Sequence, residues 1–120
     1  MLVYEVNLEV EPEINFAYAG WLPEHIDRML KFNGFKAAYW FFRNPEDEGR
    51  EPTDKKLWTI HYLVEDRESL DDYLRNHAKT MRQEAVEKFG TKFRSNRRIL
   101  GLLSVAGFPL ENETAAASAK

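Results

Sequence analysis

The 120-residue chain contains no cysteine, which excludes disulfides, thiolate metal sites and a cysteine nucleophile. No apolar run approaches the length needed to cross a bilayer. The opening MLVYEVNLEV has neither a basic leader nor a small-residue cleavage site, so no secretory signal is expected. Charge of one sign is not in excess: a formal net charge of −3 gives no electrostatic footprint for nucleic acid. Glycine-rich phosphate loops and a Ser-His-acid nucleophile signature are both missing. Only three histidines occur and none has close ligand spacing, so neither a metal nor another cofactor is expected. What these absences leave is a cytoplasmic globular protein whose chemistry, if any, comes from ordinary side chains.

Aromatic residues make up 13% of the chain, generous for one domain, so large rings must fill a core or cover an interface. Residues 2–10 alternate, with Leu2, Tyr4, Val6, Leu8 and Val10 on one face and Glu5, Asn7 and Glu9 on the other, which specifies a half-buried strand. Pro12, within EPE, suits a first helical turn. From Ile14 onward Tyr18, Trp21, Leu22, His25, Met29 and Phe32 share a helical face. Asn33-Gly34 supplies the stop, and Pro23 is expected to kink or restart this helix. FKAAYWFFR, 35–43, reads as a strand apolar on both faces. NPEDEGREPTDKK is a polar connection, and LWTIHYLV, 57–64, is a third strand. EDRESLDDYL opens a second helix, read as one piece to Gly90, with Leu70, Leu74, His77, Met81 and Ala85 as its stripe. RRILGLLSV, 97–105, reads as the last strand. The folded domain is expected over 1–105, with a flexible tail over 106–120.

The order βαββαβ is the ferredoxin-like α+β sandwich, a four-stranded antiparallel sheet with two helices on one face. Several strands look apolar on both sides, and such a face left bare is unexpected on a monomer. A homodimer through the open sheet face follows. His61 alternates onto that face with Thr59, Glu5, Asn7 and Glu9, where it suits a hydrogen-bonded seam.

YEVNLEV, WLPEHIDRML and YLRNHAKTMRQEAVEKFGTKFRSNRRIL resemble the bacterial domain of unknown function 4286 family, over roughly residues 2–103. The most specific pieces are Trp21, His25 and Ile26 in the first helix, and Met81, Arg82, Glu84, Phe89, Gly90 and Phe93 toward the end. The resemblance implies a dimeric α+β barrel related in fold to antibiotic-biosynthesis-type monooxygenases, and no established activity. A correspondence with haem-degrading relatives of that fold, through Asn7, Trp58 and His77, fails on register: it puts Val64 and Gln83 where the tryptophan and histidine should stand.

The candidate site rests on two histidines inside helical apolar stripes. If both point at the sheet, His25 and His77 form a polar pair in a pocket between helices and sheet, able to move a proton or bind an anionic group. Trp21 would wall the pocket, with Tyr62 and Arg82 as further substrate contacts. Arg97 and Arg98 are adjacent on a strand, so one of them must face inward or into the seam, where it could clamp a carboxylate. Opposite this stands the plainer reading, in which each imidazole donates to a backbone carbonyl and packs its ring. Two functions therefore remain open at this level. One is a small-molecule binder or cofactor-free enzyme; the other is a non-catalytic dimeric scaffold or protein-interaction module.

Overall fold

The structure is a computed structural model and describes residues 1–107; the tail expected over 106–120 lies almost wholly outside the described residues. Four strands form one antiparallel sheet: β1 Leu2–Val10, β2 Phe35–Arg43, β3 Lys56–Val64 and β4 Phe93–Gly101. They lie side by side in the order β2-β3-β1-β4. Period-two alternation sets the register. Tyr4 faces Tyr62 on β3 and Ile99 on β4, while Glu5 faces His61 and Arg98. A slip by one residue would exchange every inward and outward side chain, so the buried inner set of Tyr4, Leu8, Val10, Trp58, Ile60, Tyr62 and Val64 fixes the pairing.

Three helices are present rather than two: α1 Asn15–Met29, α2 Arg67–Asn76 and α3 Ala78–Phe89. Pro12–Ile14 forms a short 3₁₀ turn ahead of α1. Pro23 does not restart the helix; it lies inside continuous α1 on an exposed position. Its missing N–H removes one backbone bond on the wet side, which a 15-residue helix anchored by Tyr18, Leu22 and Met29 can absorb. The chain leaves α1 through Gly34 at φ 84°. A Cβ there would lie 2.3 Å from Ser69 Oγ, so this glycine is required by both conformation and close approach.

The second helical segment departs most from expectation. It breaks at His77, whose backbone (φ −129°, ψ −26°) ends α2 and begins α3. Buried positions run Leu70, Tyr73, then Ala78, Met81, Ala85 and Phe89. Leu74, four residues before Ala78, also packs against the core, so the stripe runs on across the joint, while the His77 side chain, at the residue with non-helical backbone angles, is 43% exposed. At the start of α2, Asp66 accepts a hydrogen bond from the Ser69 amide at 2.8 Å, a side-chain N-cap of the usual kind.

β4 also begins four residues before the expected boundary and ends at Gly101 rather than 105. Leu102 to Val105 lie beyond it and are exposed. FRSNRR is polar because β4 is an edge strand, paired only with β1, with one half-wet face. The outer face of the sheet is likewise not uniformly apolar. Its centre is Glu5, only 4% exposed, ringed by polar groups, with Tyr39 and Phe41 exposed on β2.

Candidate functional site

The inner face of β1, β3 and β4 and the inward faces of α1 and α3 enclose a cavity of about 610 Å³. Tyr4, Tyr18, Tyr62 and Tyr73 supply its aromatic walls, Val6, Leu8, Leu22, Ile60 and Met81 its aliphatic ones. The tyrosines are in mutual contact through the core, with Tyr4 5.7 Å from Tyr73 and 6.2 Å from Tyr62 between ring centroids. Burial pushes the Tyr18, Tyr62 and Tyr73 hydroxyls upward from their ordinary value, so they are phenols rather than phenolates at any physiological pH.

His25 stands in the cavity wall on α1. Its ring stacks on Trp21 at 4.7 Å, one helical turn earlier, and Nδ1 is buried without a hydrogen-bond partner among the described residues. Desolvation lowers its pKa to about 4, with Arg28 and Arg97 pushing the same way and Glu84 opposing. The imidazole is therefore neutral near pH 7, with a buried nitrogen free to accept or donate according to tautomer. Most buried polar atoms in folded proteins are satisfied, which makes this one a singular feature of the wall. Arg28 is tied to Glu84 across α1 and α3, which holds the two helices together beside it.

The sequence-predicted residues do not all meet here. Tyr62 and Arg82 line the cavity with His25; Trp21 backs the His25 ring from behind and is not itself a cavity wall. His77 is elsewhere. Its side chain is 43% exposed and lies 3.9 Å from Asp72, while its ring stacks on Phe32 at 4.6 Å. The expected pair of inward imidazoles sharing one chamber is thus corrected to a single lining ring, because His77 sits at the α2–α3 joint with non-helical backbone angles and does not line the cavity. Arg82 donates to the Tyr4 hydroxyl at 3.0 Å. Of the two adjacent β4 arginines, Arg97 turns inward onto the cavity and Arg98 outward to Glu5. Strand alternation required one of each and did not say which. Tyr4 and Tyr18 were legible as apolar-face residues but not as the polar lining they provide, and Tyr73 lay outside the stripe expected for the second helix.

A second, shallower concavity lies on the outer face, around Glu5. Asn7 donates to Glu5 at 3.0 Å and to Asn96 at 3.1 Å; Thr59 donates to Asn7 at 2.6 Å. His61 Nε2 is 2.8 Å from the Glu5 carboxylate, and Arg98 donates to it. Burial alone would raise the Glu5 pKa, but hydrogen bonds from Arg98, Asn7 and His61 outweigh it and bring the value to about 2. This is a permanently ionised, fully bonded cluster, more a structural seam than a reactive centre. Among the described residues no group of three or more His, Asp or Glu side chains is placed to hold a metal ion, and no helix is long and apolar enough to cross a membrane.

The family model described as "Domain of unknown function (DUF4286)" matches residues 1–103. No curated protein matches the chain. Several solved structures share the fold. An ethyl tert-butyl ether d (ethd) family protein from Bacillus halodurans superposes with a TM-score of 0.60 at 20% identity, over 86% of this chain and 100% of its own. SnoaB, a cofactor-independent oxygenase from Streptomyces nogalater, gives 0.58 at 12% identity over 87% and 95%. An antibiotic biosynthesis monooxygenase gives 0.57 at 15% over 88% and 100%. At these identities the likeness is one of fold, ferredoxin-like α+β, and an activity does not travel with it.

Proposed function

This chain belongs to the domain of unknown function 4286 family, and from that premise we propose that it is a cytoplasmic homodimer whose inner cavity binds a small molecule, with His25 as the hydrogen-bonding and proton-handling group. One observation carries this reading: the His25 imidazole, whose Nδ1 has no hydrogen-bond partner among the described residues, lines a cavity of about 610 Å³. Leaving a buried polar atom unbonded costs about 1–3 kcal/mol, and an apolar ring at this position would avoid that cost. The cavity volume falls within the range of about 300–1,000 Å³ usual for small-molecule sites.

A neutral imidazole with a lowered pKa is a weak base, so its chemical use is limited. It can accept a hydrogen bond from a ligand hydroxyl, or take a proton from an already acidic carbon or phenol when the resulting anion is stabilised nearby. Arg82 and Arg97 are the groups that would stabilise it. Trp21 holds the ring in place, and Tyr62 contributes a wall and a hydroxyl. Dimerisation is supported by the outer face, where exposed Tyr39 and Phe41 flank the buried Glu5 cluster; aromatic rings beside a bonded polar seam match the composition of interface cores.

Native mass spectrometry of protein purified without denaturation tests both parts. The expected spectrum is a dimer carrying a retained small organic molecule, and His25→Phe should keep the dimer while losing that mass. A dimer that retains nothing, and that takes up nothing from a cell-extract metabolite pool, would leave only the scaffold reading.

A further inference from the structure

Charge around the cavity is distributed oddly for an acidic chain. Arg82, Arg94 and Arg97 are among the lining residues, and no aspartate or glutamate is, although the whole protein carries a net charge of −3. Elsewhere most arginines are neutralised locally, Arg28 by Glu84, Arg43 and Arg50 by Glu48, Arg67 by Asp71 and Arg98 by Glu5, Arg75 being the exception among the described residues. Among the described residues none of the three cavity arginines has an acidic partner within 4.0 Å.

Arg97 is the best placed of the three. It projects from mid-β4, opposite Val6 of β1, and is half-buried. Its one side-chain hydrogen bond goes to Ser95 Oγ at 3.1 Å. A guanidinium has five N–H donors in a planar fork, so most of its donor capacity is unused among the described residues. Its charge acts on Tyr18, Tyr62, Tyr73 and His25, which all line the same cavity. Burying part of an unpaired guanidinium is costly, and an oxyanion is the partner that recovers most of that cost. The remaining walls combine the flat rings of the tyrosines and Phe93 with aliphatic side chains.

We infer that the cavity takes a planar ring compound bearing a carboxylate or a comparable oxyanion, with Arg97 as its anion partner, Arg82 assisting, and the tyrosines packed against the ring. The inference rests on the cavity being a ligand site, as proposed above, and adds the class of ligand. In such a complex the oxyanion would lie toward β4, and the ring would extend toward the α1 wall, where it meets His25.

The probes are 2-naphthoate and its neutral isostere 2-naphthamide, titrated into the wild-type protein by calorimetry and by NMR of the His25 and tyrosine ring signals. Naphthoate should bind about tenfold or more tightly than the amide at low ionic strength, the ratio expected for one charge-assisted hydrogen bond. Rising salt should erode that advantage and leave amide binding unmoved. Arg97→Gln should abolish the preference with little change for the amide, and Arg97→Lys should restore part of it. Equal affinity for the two probes would overturn the anionic class and leave the small-molecule cavity standing. A preference undiminished in Arg97→Gln would overturn the role given to Arg97. Static ring signals with both probes at millimolar concentration would remove the ligand class and the cavity reading together. Should Arg97→Gln fail to fold, the salt series on the wild-type chain decides the question alone.

Discussion

His25 pays for its position in stability, and the pH dependence gives the sign. An imidazole in the unfolded chain takes up a proton near its ordinary value of 6.5, whereas the buried ring does so only near 4. Between those values the unfolded state binds more protons, so stability falls as pH drops from about 6.5 to about 4, and is full above 6.5. Glu5 acts in a lower window: its carboxyl, ordinarily at 4.5, is held near 2, so its contribution is lost only as pH falls below about 4.5. Replacing His25 with phenylalanine keeps the stack on Trp21 and removes the orphaned nitrogen. His25→Phe should raise neutral-pH stability by about 1–3 kcal/mol and flatten the decline between pH 6.5 and 4.5, as read from urea midpoints across that range. An undiminished slope in the variant would show that another group carries it. At this scale the sequence was informative about His25 because helical spacing puts it with Tyr18, Leu22 and Met29. It was silent on Arg97 against Arg98, since alternation is symmetric until the strand's register is known.

The elements were legible where pattern and termination agree. β1 to β3 are bounded by polar runs and turn residues, and their observed limits fall within a residue of the expected ones. His77 escaped because the stripe positions on both sides of it, Leu70, Met81 and Ala85, are buried as a single helix would have them, so periodicity gives no sign of the joint. β4 was displaced because an edge strand with one inward arginine has no clean alternation in FRSNRR. Gly34 shows the opposite case, a residue whose role as a stop was evident while its reason, contact with Ser69 at the head of α2, was not. Gly34→Ala should cost about 2 kcal/mol or more, since it combines a positive φ with a Cβ pressed into Ser69. Thermal unfolding measures this, and a melting temperature within a degree of wild type would refute the close approach. His77→Ala, at the joint and away from the cavity, should leave naphthoate affinity unchanged.

Across the whole molecule the two faces of one sheet have different work. The inner face builds an arginine-bearing, tyrosine-walled cavity; the outer face gathers its charge into a single bonded cluster around Glu5 and leaves aromatic side chains on β2 uncovered. The ferredoxin-like order of elements was evident from the sequence, because each hydrophobic run has the length and period of one element. A cavity, by contrast, depends on how far the helices stand from the sheet, which no local pattern encodes. Phe41 is 47% exposed on the outer face and nowhere near the cavity. On the proposed homodimer, Phe41→Glu should therefore give a monomer at micromolar concentration in light scattering without unfolding the protomer; a wild-type chain that is itself monomeric would remove the dimer, and a variant mass unchanged from a dimeric wild type would move the interface elsewhere. The chamber itself is tested most directly by the ring nitrogens of His25, followed by ¹⁵N NMR from pH 7.5 to 3.5 with and without naphthoate. The predicted result is a neutral ring with a pKa near 4 whose nitrogen signals move on addition of ligand. A ring that titrates near 6.5, or nitrogen signals indifferent to ligand, would contradict it.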